Sequence, residues 1–246
     1  MSKIHSDRWW IAACLGITAI VMALPAAAQD LTIGSTTLTG QSLLLIALVT
    51  VLSLAPGLAV MVTCFPFIVT VLSILRQGIG LQQSPPNMLI VSLSLFLTWF
   101  IMEPVMTEAW RVGISPLIDG TIDLPTAFDR GMVPFRSFMA ARLDFDTLKE
   151  LAALRPEVPV FTQASDAPLS LLVPSFMLSE MSRAFEIGFL LYLPFLIIDL
   201  VVSAVLMSMG MMMVPPAIVS LPFKLAFFVV ADGWSLVSSA LVRSYT

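Results

Sequence analysis

Three charged residues stand inside long apolar stretches: Asp199, Lys224 and Asp232. A charge at the centre of a membrane helix costs about 2.5–3.5 kcal/mol on insertion scales, so each must face protein or water and find a partner. Asp199 and Lys224 fall on different candidate helices and are expected to pair, within one subunit or between neighbours. Other chemistry is conceivable for the same residues. Two intramembrane aspartates can share a proton in hydrolysis, but neither has a Gly-x-Gly-Asp context here. Lys224 with Ser203 or Ser220 offers a base and a nucleophile, although serines on apolar helices far more often pack.

Further charges recur at helical spacing. Glu180, Arg183 and Glu186 are three apart and form a ladder of alternating sign on one helix face. That pattern suits a solvated helix end at the membrane surface or an inter-subunit contact equally well. The other notable cluster is uncharged. Five of the seven residues from Met207 to Met213 are methionine, with Gly210 in the middle and Pro215-Pro216 close behind. Methionine is flexible and fills gaps in helix cores, but Gly210 and the proline pair disfavour a regular helix here. Irregular backbone at membrane depth is tolerated where it is buried in protein or lines a cavity. A loop of soft, uncharged side chains can close such a hole against ions and still yield to a peptide.

Most enzyme classes are excluded by what is scarce. His5 is the single histidine, and Cys14 and Cys64 are the two cysteines. Residues 1–28 read as a secretory signal, with Lys3 and Arg8 ahead of an apolar run and Ala26-Ala27-Ala28 before Gln29. Cleavage between Ala28 and Gln29 removes His5 and Cys14. What is left cannot form a histidine-ligated metal centre, a catalytic triad or an internal disulfide. No Gly-x-x-x-x-Gly-Lys phosphate loop occurs, and no cofactor is expected.

The elements that must carry these residues are apolar helices. Of 246 residues, 58% are hydrophobic and 11% charged, against about 45–50% and 25% in soluble domains. The mean hydropathy of +0.97 indicates an integral membrane protein, and a net charge of -4 leaves no basic excess for nucleic acid. After a short polar segment, 29–42, a first pair of apolar helical regions occupies 43–106. Pro56-Gly57 and Pro66 divide the first of these regions, predicting a kinked or broken helix. A soluble insert, 107–172, follows. Glu108 to Asp166 holds 15 of the 28 charged residues, and Phe138 to Leu154 has the spacing of one amphipathic helix ended by Pro156 and Pro159. A second apolar pair, 173–246, carries the methionine-rich loop. The fold class is therefore an all-α membrane protein of four hydrophobic helical regions around a helical insert. Counting crossings from the signal puts the insert on the outer side.

The string PSFMLSEMSRAFEIGFLLYLPFLIIDLVVSAVLMSMGMMMVPPAIVSLPFKLAFFVVADGW, Pro174 to Trp234, closely resembles the FliP family of flagellar biosynthesis proteins and its relatives in virulence type III secretion. LRQGIGLQQSPPN, Leu75 to Asn87, is similar to the same family's loop, and PFRSFMAARLDFDTLKELAAL, Pro134 to Leu154, is similar more loosely. The resemblance implies an export gate in the bacterial inner membrane, within the flagellar basal body. It implies several copies, a pentamer in the family, assembled with FliQ and FliR to pass unfolded flagellar proteins, with energy from a separate ATPase and the proton gradient. It also implies a methionine gasket at Met209, Met211, Met212 and Met213, and helices raised out of the ordinary membrane plane. Where the family commonly has Thr-Arg, this chain has Phe65-Pro66-Phe67. The alternative reading is an oligomeric channel for small solutes or ions.

Overall fold

A computed structural model describes residues 38–80, 86–155, 161–211 and 213–245. The signal with its Ala28–Gln29 junction, and Met212, lie outside these described residues, as do Pro156 and Pro159. The chain divides into one unit that ends at Leu54 and another that begins at Ala55. Among the described residues all regular structure is helical.

The first helix, α1, is Leu38–Met61, and Ser42–Met61 within it has a mean hydropathy of 2.5. It runs on through Pro56 and Gly57. The break comes later, at Val62–Cys64, before α2, Phe65–Ile79. Pro66 thus sits in the first turn of α2, where its missing N–H forfeits no helical bond. One face of α2 is the centre of the second unit: Phe67, Ile68, Val71, Leu72, Leu75 and Ile79 are all buried.

Helix α3, Asn87–Ala109, continues past Glu103 and through Pro104. A π-helical turn, Trp110–Ile114, and the short α4, Ser115–Ile118, extend it. The turn brings Gly113 against α5, Leu124–Arg142: a Cβ on Gly113 would stand 2.9 Å from both the Ala127 carbonyl oxygen and the Gly131 Cα. Backbone atoms cannot step aside as a side-chain tip can. Gly113→Ala should therefore destabilise the fold by about 1–3 kcal/mol, read as a lowered thermal midpoint of the detergent-extracted chain, whereas Gly57→Ala within α1, where a Cβ would meet nothing within 4 Å, should not lower it.

The amphipathic stretch of the insert is two helices, not one. α5 ends at Arg142, Leu143 is extended, and α6 runs Phe145–Ala153. Asp144 separates them. Its carboxylate accepts from the Asp146 N–H at 3.1 Å and the Thr147 hydroxyl at 3.1 Å, and its own N–H donates to Ser179 Oγ at 2.8 Å. Local side-chain bonding of this kind outcompetes a continuous helix. The apolar spacing survives the break, because Met139 and Leu148 both reach a second core cluster with Leu171, Leu172 and Phe176.

Helix α7, Leu169–Ser208, has 40 residues and contains Pro174 and Pro194. At 1.5 Å per residue it is roughly 60 Å long, about twice the thickness of a bilayer core. Its first turns pack under the insert and its later ones are almost entirely apolar. α8, Pro216–Val230, and α9, Gly233–Arg243, form a bent pair at 61°. Among the described residues, three helical stretches are long and apolar enough to cross a membrane, or four if the bent pair is one crossing.

Candidate functional site

The residues singled out by charge and by methionine content fall into three places along α7. The first is in its last third. Lys224 on α8 reaches Asp199 on α7, with Nζ 2.6 Å from Oδ2, and Ser220 one turn before Lys224 donates to Asp199 Oδ1 at 2.5 Å. The Lys224 side chain is 6% exposed and that of Asp199 30%. The lysine is therefore enclosed while the carboxylate keeps an open edge. Ser220 is consumed as a donor to a carboxylate and faces no free base, so this arrangement is an ion pair that fixes two helices. Asp232 is exposed at the α8–α9 bend and does not join them.

The second place is earlier on α7. Glu180 is 1% exposed, which no solvated ladder at a helix end would give. Its main cation is not the helical neighbour but Arg142 from the end of α5, with Nε 3.2 Å from Glu180 Oε1, while Arg183 lies at 3.8 Å. Glu186 is exposed and takes no ion pair among the described residues. Arg142 also donates through Nη1 to the Ser244 carbonyl at 2.6 Å, and its guanidinium stacks 4.0 Å from the centre of the Tyr245 ring. Tyr245 in turn donates its hydroxyl to Glu180. Burial, and then the adjacent Glu180 carboxylate, push this phenol well above its ordinary range, so it stays a donor. The Arg142 Nη2 atom is buried without a partner among the described residues.

Arg142, Tyr245 and Ser179 were not among the sequence-based candidates, and Ser220, weighed there as a nucleophile beside Lys224, serves instead as a donor to Asp199. Arg142 reads as one polar position of an amphipathic helix. Only its place at the last turn before an aspartate hints that the helix ends there and frees its side chain. Tyr245 is one of just two tyrosines in the chain, and a phenol beside an apolar helix must find a partner.

The third place is the end of α7. Gly210 takes a left-handed conformation with φ 73°. Its N–H closes on the Met207 carbonyl at 3.1 Å, and the Met211 N–H on that of Leu206 at 3.0 Å. Met207 thus belongs to the helix, while Met209, Met211 and Met213 project from the turn, 67%, 42% and 97% exposed. Beside this turn α7 and α8 enclose an apolar groove of about 610 Å³, lined by Val201, Val205, Met209, Met211, Val219 and Phe223 among others. Among the described residues no three His, Cys, Asp or Glu side chains are grouped to hold a metal ion.

Known proteins are similar to this chain in sequence. The flagellar biosynthetic protein FliP of Caulobacter vibrioides is 49% identical over 233 residues, covering 95% of this chain and 87% of that protein. Its counterpart in Rhizobium meliloti is 48% identical over 201 residues, 80% of this chain and 81% of the relative. That of Bacillus subtilis is 44% identical over 203 residues, 82% and 90% respectively. Residues 48–241, which take in both buried charge centres save Ser244 and Tyr245 and the whole methionine turn, match the FliP family; the chain belongs to that family.

Proposed function

We propose that this chain is a non-enzymatic core subunit of the flagellar type III protein export gate in the bacterial inner membrane. The observation that carries this reading is the family match along residues 48–241, unbroken through the apolar helices and the insert. In this reading several copies, a pentamer as in the family, assemble with FliQ and FliR, and unfolded flagellar proteins pass through the channel they form. The signal at the start of the sequence supports an insert on the periplasmic side.

Met209, Met211, Met212 and Met213 act as the gasket of that channel. Uncharged thioethers offer no ligand strong enough to strip water from an ion, and their free rotation lets them fit passing side chains of any shape. Supporting the role, three of the four project from a turn whose backbone is already bonded to itself. A side chain exposed on one subunit is available to its neighbours around an axis. As in the family, driving energy comes from a separate ATPase and the proton gradient, a reading with which the lack of a phosphate loop in the sequence agrees.

One experiment with two arms tests this. Deleting the gene should abolish filaments and leave flagellar subunits inside the cell. Complementing the deletion with all four methionines changed to alanine should restore assembly but make the closed gate leak small ions. Normal export in the deletion strain would point instead to a small-solute channel, and an unchanged leak would remove the gasket role.

A further inference from the structure

Helix α9 is fixed at its two ends and only lightly between them. Of its 11 residues, Gly233, Val237 and Leu241 alone are buried. At one end stands Asp232, with φ 48° and ψ 48°, the single non-glycine residue of positive φ among the described residues. Side chains other than glycine rarely adopt this conformation, and it persists only where the surroundings enforce it. Gly233 follows, so close to the Phe228 ring that a Cβ would lie 2.2 Å from it. The elbow is therefore strained and tightly built.

At the other end the chain is gripped by three different helices. Arg142 of α5 holds the Ser244 carbonyl, Glu180 of α7 takes the Tyr245 hydroxyl, and the ring meets Phe67 of α2 at 5.5 Å and Phe138 of α5 at 6.0 Å. Glu180 and Phe67 are both almost fully enclosed. A strained elbow at one end and a buried grip at the other, joined by a sparsely packed helix, make a mechanical unit.

We infer that α9 is a hinged arm that pivots at Asp232–Gly233 and is latched shut by Ser244 and Tyr245 in the pocket of Glu180 and Arg142. Latched, the arm ties the last apolar pair to the insert through α5, so that the two move together. Released, it leaves α8 and α7 joined by the Asp199–Lys224 pair and frees the insert from α9. The open form pays for itself poorly, because Glu180 loses a donor and Arg142 an acceptor inside the protein, and the arm is drawn back.

The chain carries its own reporter. Cys64 is wholly buried, in the core cluster against which Tyr245 and Val242 pack. In the full-length, detergent-extracted chain with Cys14→Ser, maleimide labelling of Cys64 follows opening of the arm. Tyr245→Phe keeps the ring and removes the hydroxyl; Tyr245→Ala removes both. Labelling should quicken by at least about tenfold in Tyr245→Phe, the factor that loss of one hydrogen bond to a charged group supplies, and further in Tyr245→Ala. A second probe, Leu148→Cys in a Cys64→Ser background, sits in the other core cluster and should stay protected in both variants. Equal labelling of Cys64 with and without the Tyr245 hydroxyl overturns the latch. Simultaneous exposure of both probes also overturns it, because the segment would then hold up the whole fold and not an arm.

Discussion

Asp199→Asn should destabilise the folded chain by about 3–5 kcal/mol, the cost of leaving a buried charge without its partner. The partner left behind is Lys224, whose side chain is 6% exposed. The converse change, Lys224→Gln, leaves Asp199, which is 30% exposed and keeps its bond from Ser220. Water reaches that carboxylate and offsets part of the loss, so Lys224→Gln should fall at or below the lower end of the same range. The double variant should lie well short of the sum, because it removes both charges and retains a polar pair. Unfolding of the extracted chain, followed by loss of helical signal in the four members of this cycle, measures all three quantities. Equal costs for the two single changes would contradict the exposure argument. Additive costs would mean that the 2.6 Å contact contributes nothing.

Arg142→Met is the second large effect, again about 3–5 kcal/mol. This side chain is 15% exposed and satisfies a carboxylate that is 1% exposed. Without it, Glu180 keeps the Tyr245 hydroxyl and a guanidinium 3.8 Å away on its own helix. The orphaned Nη2 atom of Arg142 argues for the lower half of the range, since the native arrangement already carries one unmet donor. Arg142→Lys should lose less, about 1–3 kcal/mol, because a point charge can hold Glu180 but cannot reach the Ser244 carbonyl and stack on Tyr245 at once. Thermal midpoints of the two variants rank them directly, and a lysine variant as damaged as the methionine one would deny the guanidinium its special geometry.

The helical class and the insert were legible because apolar runs and charge density differ so sharply along the chain. Where helices break was not. Pro56 and Pro66 drew attention in the first apolar region, yet the interruption falls between them, at Val62–Cys64. A proline early in a helix marks its start as readily as a kink, and spacing does not distinguish these. Asp144 splits the insert helix by bonding to residues two and three further on and to Ser179 across the fold, and a contact 35 residues away has no periodicity. The same limit hides the partners of Glu180. Helical spacing pointed to Arg183 and Glu186, its neighbours on one face, whereas its closest ligands come from 38 and 65 residues away. Asp199 and Lys224 were conspicuous for a different reason: each interrupts an apolar run, and few polar groups compete for either.

The turn that ends α7 is held by main-chain atoms. The bonds from Gly210 to Met207 and from Met211 to Leu206 involve no side chain, and the one steric requirement is φ 73° at Gly210. In the gasket proposed above, residues 209, 211 and 213 are therefore interchangeable bearings on a mount that the backbone sets. Replacing them alters friction and fit without moving the axle, whereas a change at Gly210 shifts the mount and misaligns every bearing together.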